Sequence, residues 1–412
     1  MLKRKMIYGS VGTALVALTL LSLSFSSCSS EDAEHIGAKS KMAPMALNIV
    51  TDDYADKGKT RGTPSEDLEA SLGLYAYVYA ESDHWDNGNG TPPNFMINEE
   101  VQNAGSFWLT VNAFDVDKMT GEIDGFTGQA ETPYMRFFAY YPYGLDPEVL
   151  ELSDENHDNA PIMVYTVPDE VEEQIDLLAG GCLDDEGHTK VFDTKKQATI
   201  ATDNSEAEEV TITMNHLLTA IRFQIGECVE TGRIKKITVT NVLGKDQYSL
   251  QRDAEDYYYE GWEVRNWGEN WDDDFRDFSI ELNKQIKLTQ KDKTTGEVIP
   301  QEVTDKTEWL MMIPQYLSDE TYLKVIYNSG GTDHELTAEL FGAEWAQGKM
   351  VTYTLNINSL QRLTVKSTVI PWGEGIYFQD GQPTNATTLD IEADFVEWDP
   401  TDTDVASDDP RD

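Results

Sequence analysis

Leu72-Gly73-Leu74-Tyr75-Ala76-Tyr77-Val78-Tyr79 alternates aliphatic and tyrosine side chains from Leu74 onward. A period of two is the mark of a strand with two distinct faces. A loop with Asp86, Asn87, Gly88, Asn89, Gly90, Pro92 and Pro93 ends the pattern. Further strand candidates follow at Phe107 to Val111, Met135 to Tyr141, Ile162 to Val167 and Ile175 to Leu178. None carries helical periodicity, and aromatic and β-branched runs between turns at this spacing indicate an antiparallel, immunoglobulin-like β-sandwich.

A second series starts at Val210 to Met214 and runs on through Ile221, Phe223 and Ile225. It continues with Ile234, Ile237 and Val239; Trp309 to Ile313; Leu323, Val325 and Tyr327; Val351, Tyr353, Leu355 and Ile357; and Leu363, Val365 and Val369. The polar interval Gly180 to Glu209 holds the domain boundary. Gln251 to Lys293, rich in Tyr, Trp and Asp, reads as a surface excursion. The expected fold is all-β, with two antiparallel sandwiches at 62–200 and 201–380, and 412 residues suffice for two such cores.

The two ends of the chain read differently. Lys3, Arg4 and Lys5 precede an apolar run from Met6 to Leu23, and small residues lead to Cys28. This is the order of a secretory signal over 1–27, with Cys28 where a bacterial lipoprotein carries its lipid. An uncleaved single-span anchor is the other reading of the same run. Residues 28–61 contain a short alternation, Met45, Leu47 and Ile49, followed by a Lys59-Thr60-Arg61-Gly62 linker. That linker reads either as a protease target or as a plain tether. At the far end Leu389, Ile391, Ala393 and Phe395 alternate with Asp390, Glu392 and Asp394. The tail 381–412 thus carries one good strand, and after it only an acidic run from Glu397 to Asp412 that builds no core. The strand needs a partner in its own domain or in another molecule.

Composition excludes several functions. A formal net charge of -44 and a pI near 4.2 oppose nucleic acid, whose binding needs a basic footprint. The six histidines sit at no metal or triad spacing, and no nucleophile-elbow, Walker or dinucleotide motif occurs. His216, in a strong strand context, reads as a structural histidine. With 75 carboxylates, any proposed glycosidase pair is unspecific. No enzyme, cofactor or metal site is therefore expected. The Asp83 to Gly90 loop and Asp272, Asp273, Asp274 read as solvated acidic loops, with calcium the alternative. With Cys28 assigned to lipid, Cys182 and Cys228 remain, as a pair or as free thiols. Trp85, Trp262, Trp267 and Trp271 in loop-like contexts raise a glycan-binding reading, while Trp309, Trp345 and Trp372 read as core or sandwich-edge residues.

Taken in order, the lipoprotein start, Lys59-Thr60-Arg61-Gly62, Tyr140-Tyr141-Pro142-Tyr143, Asp176-Leu177-Leu178-Ala179-Gly180, His216 to Ile225, Trp345-Ala346-Gln347-Gly348 to Tyr353-Thr354-Leu355, and Ile370-Pro371-Trp372 resemble the fimbrillin family. These are pilus subunits of Bacteroides-type bacteria. The resemblance implies two transthyretin-like sandwiches and a non-enzymatic structural pilin, made as an outer-membrane lipoprotein and assembled into a surface fimbria that supports adhesion. It implies lipidation at Cys28, cutting between Arg61 and Gly62 by an Arg-specific surface protease, and release of the Met45, Leu47, Ile49 strand. The groove left behind is then filled by Leu389, Ile391, Ala393 and Phe395 of another subunit. The implied partners are further pilins, as a homopolymer, with anchor and tip subunits. A stalk subunit is favoured over a tip or accessory role, and the competing reading is a tethered glycan-binding lipoprotein.

Overall fold

The computed structural model describes residues 42–51, 63–64, 68, 71–79, 92–105, 107–115, 134–182, 192–193, 210–250, 261–263, 274–305, 308–371, 378–379, 382–383 and 387–391. They belong to one compact unit, Ser40–Asp412, and among them there is no α-helix; a short 3-10 turn lies at Val171–Glu173. The protein is all-β.

The longer strands of the first half are β1 (Met42–Thr51), β2 (Leu72–Tyr79), β3 (Met96–Asn103), β4 (Trp108–Asp115), β5 (Tyr134–Tyr141), β6 (Leu150–Leu152), β7 (Ile162–Thr166), β8 (Leu178–Gly181) and β9 (Thr211–His216). Seven of them form a sheet in the order β5-β2-β3-β4-β1-β9-β8, and a further pairing of β8 with β5 closes it into a ring. A closed ring leaves no unpaired edge between its members. Inside it sit Met45, Leu47, Ile49, Leu72, Leu74, Ala76, Met135, Phe137, Ile212 and Met214, each at most 3 % exposed.

The opposite faces of β2 and β5 are buried too. Tyr75, Tyr77, Phe138 and Tyr140 point away from the ring interior into a second core. Tyr77 meets Phe138 edge-on, at 5.8 Å between centroids. This second core includes Leu150, Met163, Tyr165, Tyr248 and Trp262 and continues to Val365. The alternation at Leu72–Tyr77 is thus between two cores rather than between core and solvent.

The second half comprises β10 (Thr219–Cys228), β11 (Gly232–Leu243), β12 (Lys245–Ser249), β13 (Phe275–Ile286), β14 (Leu310–Met312), β15 (Tyr322–Ser329), β16 (Thr332–Glu339), β17 (Lys349–Ser359), β18 (Arg362–Pro371) and β19 (Thr387–Ile391). One sheet runs β10-β17-β18-β19, with β14 and Gln301–Glu302 also on β10, and the other runs β13-β11-β15-β16. Phe223, Phe278, Val325 and Tyr353 fill the second core from both sheets, and Phe223 stacks on Tyr353 at 5.8 Å. The strand β12 pairs with β7 of the first half, forming a three-stranded sheet with β6.

Four sequence expectations change. The strand expected at Ile175 to Leu178 lies at Leu178–Gly181 instead. There the strands approach so closely that a Cβ on Gly180 would stand 1.8 Å from the Thr213 carbonyl oxygen, so the position excludes the side chains from which strands are recognised. The run from Val210 onward breaks at Leu217–Leu218, where the chain passes from the ring into the second half's sheet. Two pairings, β1 with β9 and β10 with β17, are parallel within otherwise antiparallel sheets. The supposed excursion Gln251 to Lys293 contains β13, twelve residues long, with Phe278, Ile280 and Ile286 buried. Register shifts at Ile234/Lys236 and Val239/Val242 in the β11–β13 pairing and polar residues on its outer face hid its periodicity. The expected division at 200/201 lies outside the described residues.

Candidate functional site

The strand β1 completes the ring. It runs antiparallel to β4, pairing Met42 with Asp115 and Leu47 with Trp108, and parallel to β9, pairing Asn48 with Thr211 and Thr51 with Met214. Alternation sends Met45, Leu47 and Ile49 inward, at 2, 1 and 3 % exposure. Ala46, Asn48 and Val50 are half-buried on the other face.

Side chains and backbone both secure it. Near the register shift between Pro44 and Ala46, the Met45 N–H donates to Thr110 Oγ1 at 2.8 Å. Asn48 donates from its backbone to the Val210 oxygen at 3.0 Å and from its side chain to Thr211 Oγ1 at 3.3 Å. Without β1, the facing edges of β4 and β9 would bare their backbone groups above an apolar trough floored by Leu74, Phe137 and Ile212. Burial of the three inward side chains contributes about 5 to 9 kcal/mol, at about 1.5 to 3 kcal/mol each.

The second element is β19, an edge strand antiparallel to β18. Ile391 pairs with Val365 and Leu389 with Ser367. The start of the expected tail strand therefore rests in its own molecule, with β18 as its one strand neighbour among the described residues. Ala393 and Phe395 lie outside the described residues, as do Cys28, Arg61 and Gly62.

The remaining candidates separate clearly. Trp262, expected as a sugar-stacking residue, is fully buried; it donates its indole N–H to the Leu217 oxygen at 3.0 Å and packs edge-on against Tyr248 at 5.2 Å. It offers no face to a ligand, and the glycan reading loses this residue because Gly261 and Trp262 return the polar loop to the core. Trp85, Trp267, Trp271 and Trp372 are outside the described residues. Trp345 is buried and donates to the Tyr353 hydroxyl at 2.9 Å. Trp309 is half-buried, with the Arg222 guanidinium 5.7 Å from its ring centre.

His216 Nδ1 stands 2.9 Å from Asp176 Oδ2, a pairing between neighbouring loops and strands of the ring. Cys182 and Cys228 are buried and form no disulfide with each other; Cys182 lies in the ring core, and the Cys228 thiol donates to the Glu230 oxygen at 3.0 Å. Among the described residues no group of three His, Cys, Asp or Glu side chains is placed to hold a metal. The acidic loop Asp83 to Gly90 and the pair Asp272, Asp273 lie outside them.

Burial perturbs the tyrosines of the second core. Desolvation, aided by Tyr143, pushes Tyr75 up to about 12. Desolvation also raises Tyr77, beside Tyr75, Tyr140, beside Tyr75 and Tyr143, Tyr165, with a contribution from Asp176, and Tyr353. The fold holds these phenolic protons more tightly than the unfolded chain does. Their stabilisation is complete below pH 10 and is lost as pH rises from 10 toward 12. In an alkaline titration, the tyrosinate absorbance of these residues is expected to rise together with loss of β-sheet circular dichroism, rather than ahead of it.

The sequence model of a family described as fimbrillin-like matches residues 126–372. The protein "Fimbrium subunit Fim1C" of Phocaeicola vulgatus is 26 % identical over 241 residues, 55 % of this chain and 54 % of that protein. The chain thus spans about half the length of the curated relative it matches. Among solved structures, a fimbrial protein from Bacteroides vulgatus aligns over 80 % of this chain and 99 % of its own, with 19 % identity and a TM-score of 0.48. The fimbrial anchor protein Mfa2 from Porphyromonas gingivalis aligns over 80 % and 98 %, with 8 % identity and a TM-score of 0.34.

Proposed function

The chain belongs to the fimbrillin-like family, and from that membership we propose that it is a structural pilin of a cell-surface fimbria, polymerised by exchange of strands between copies. The observation that carries this reading is the position of β1. It is the ring's first strand, it fills a slot between β4 and β9, and it precedes the Lys59-Thr60-Arg61-Gly62 linker. Two sandwich domains, a precursor tethered to the outer membrane through lipid at Cys28, and cutting after Arg61 by an Arg-specific protease complete the reading. The cut releases β1 with the lipid.

The tail supplies the replacement. Among the described residues β19 has one strand neighbour, whereas the vacated slot offers two ladders and an apolar floor. A strand that moves from edge to slot gains backbone pairing as well as burial. Leu389, Ile391, Ala393 and Phe395 have the alternation to replace Met45, Leu47 and Ile49, and Asp390, Glu392 and Asp394 would then face solvent. Association entropy opposes this gain, so a durable fibre draws on both ladders. Head-to-tail donation does not close on itself and makes a filament.

Mass spectrometry of filaments sheared from the surface is expected to find subunits that begin at Gly62; subunits that still begin at acylated Cys28 would contradict the maturation step. Removal of Thr388 to Asp412 is expected to abolish high-mass ladders while the folded monomer persists. Ladders that survive the deletion would sink strand donation by this tail.

A further inference from the structure

The sheet formed by β10, β17 and β18 packs one face on the second core and turns a polar face outward. Alternation along β10 sends Ile221, Phe223 and Ile225 inward and leaves Arg222 and Gln224 on the outer face. The parallel register sets Arg222 beside Thr352 of β17 and Gln224 beside Thr354. Arg222 Nε donates to Thr352 Oγ1 at 2.7 Å, and Gln224 Nε2 donates to Thr354 Oγ1 at 2.8 Å. Over Arg222 and Gln224 opens a groove of about 340 Å³ that is lined also by Glu302, Asp305 and Trp309.

The groove is built from fixed parts. Glu302 pairs with Gln224 on the edge of β10, and the Val303 and Thr304 N–H groups both donate to the Phe223 oxygen, at 3.1 and 3.3 Å. Thr304 Oγ1 accepts from the Phe223 N–H at 2.9 Å. The Asp305 N–H donates to Glu308 Oε2 at 2.9 Å, and the Glu308 N–H returns a bond to the Asp305 oxygen at 3.0 Å. Trp309 packs on a small apolar cluster of Ala220, Met350 and Ile370 and stays partly exposed. Walls that need no ordering on binding keep more of their contact energy. The floor, by contrast, holds unused hydrogen-bonding capacity. The Arg222 guanidinium is half-buried, 5.7 Å from the centre of the Trp309 ring; burial disfavours its charge and Glu302 opposes that effect. Beyond the bond from Nε, its terminal nitrogens donate to no described residue. Gln224 uses Nε2 on Thr354 and leaves Oε1 as an acceptor.

The charges restrict what such a groove accepts. Among its described lining residues Arg222 stands with two carboxylates, Glu302 and Asp305. An anion is repelled by both carboxylates and by a chain of charge -44, while a cation drawn to them meets the guanidinium. A neutral molecule rich in hydroxyls satisfies both signs, because a hydroxyl accepts from Arg222 and donates to a carboxylate or to Gln224 Oε1. Adjacent hydroxyls of a pyranose ring match the planar guanidinium fork, and its apolar C–H face suits the exposed part of Trp309. We propose that the groove bounded by Arg222, Glu302 and Trp309 is a binding site for a neutral sugar unit. Its volume lies at the low end of the about 300 to 1,000 Å³ common for small-molecule sites, which suits a single unit. Trp309, which the sequence placed in the core or at a sandwich edge, takes the stacking role that the buried Trp262 lacks. The site adds a ligand to the structural role proposed above and does not depend on strand exchange. In a filament it recurs in every copy, so weak single contacts gain strength on a surface that displays many glycans.

The test uses the full, unprocessed chain, with titration calorimetry and saturation-transfer NMR against the methyl glycosides of glucose, galactose, mannose and N-acetylglucosamine. At least one is expected to bind with a dissociation constant of about 1 mM, in keeping with a ligand of this size. Glu302→Gln, at an exposed position, is expected to weaken that binding about tenfold and to leave the melting temperature unchanged. Arg222→Lys keeps the charge but loses the planar fork, and a similar loss is expected. Trp309→Leu retains an apolar contact with Met350 and Ile370 and is expected to lose saturation transfer to the C–H protons of the sugar. No binding of any of the four glycosides at about 10 mM would overturn the proposal. Binding that is unchanged in all three variants would place the sugar elsewhere and overturn the site. Tighter binding of glucuronic acid or glucosamine than of every neutral glycoside would overturn the assignment to a neutral sugar.

Discussion

Gly180→Ala is expected to destabilise the protein by about 3 to 5 kcal/mol, a large effect for one methyl group. Gly180 lies in β8, opposite Ala139 of β5 and Met214 of β9. Its missing Cβ would stand 1.8 Å from the Thr213 oxygen and 3.1 Å from the Met214 Cα. These are backbone atoms, so no side chain can swing away; either β8 parts from β9 or the substitution is not accommodated. Parting opens the ring at the strand that closes it. A domain is stabilised by about 5 to 15 kcal/mol in total, so the variant is expected to unfold at much lower denaturant. Gly144→Ala makes the comparison sharp: its φ of +76° strains an alanine, but nothing lies within 4 Å of the added carbon, and a loss of about 1 kcal/mol is expected. Equal losses at the two positions in urea unfolding would show that close strand approach is not what Gly180 serves.

The second large effect concerns β1. A chain matured to Gly62 and kept dilute is expected to lose the about 5 to 9 kcal/mol from Met45, Leu47 and Ile49, together with both ladders. Even at about 2 °C per kcal/mol for a large domain, its melting temperature is expected to fall by about 10 °C or more. A synthetic peptide of residues 387–399 is expected to reverse this, by about 2.7 kcal/mol at a hundredfold excess over its dissociation constant. Differential scanning calorimetry of precursor, matured chain and matured chain with peptide reads all three states. A matured chain that melts like the precursor without peptide would mean that β1 is not an integral strand of the ring.

The sequence made these elements legible to different degrees, for physical reasons. Leu74–Tyr79 was readable because aliphatic and tyrosine side chains alternate along it, although the period could not say that Leu72–Tyr77 is buried on both faces. Met45, Leu47 and Ile49 were readable as a strand, but their parallel pairing with β9 joins residues more than 160 positions apart in the chain, which no local pattern encodes. The strand β8 was misplaced because Leu178-Ala179-Gly180-Gly181 lacks large side chains where backbones crowd. Trp262 misled because its neighbours in sequence are polar while its neighbours in space are Tyr248 and the Leu217 oxygen. In the tail, the alternation at Leu389 and Ile391 indicated a strand correctly; that it rests on β18 depends on an edge that only the folded sheet presents.

The outward aromatic side chains of β2 and β5 bear on how the molecule carries load. Tyr75, Tyr77, Phe138 and Tyr140 lie in one uninterrupted core with Tyr165, Trp262 and Tyr353, so tension applied across the two halves passes through packed rings as well as through the connecting backbone. Such packing resists bending far better than a peptide linker does. In a filament built from this chain, compliance would then be concentrated at the joints between copies, with each subunit behaving as a stiff link.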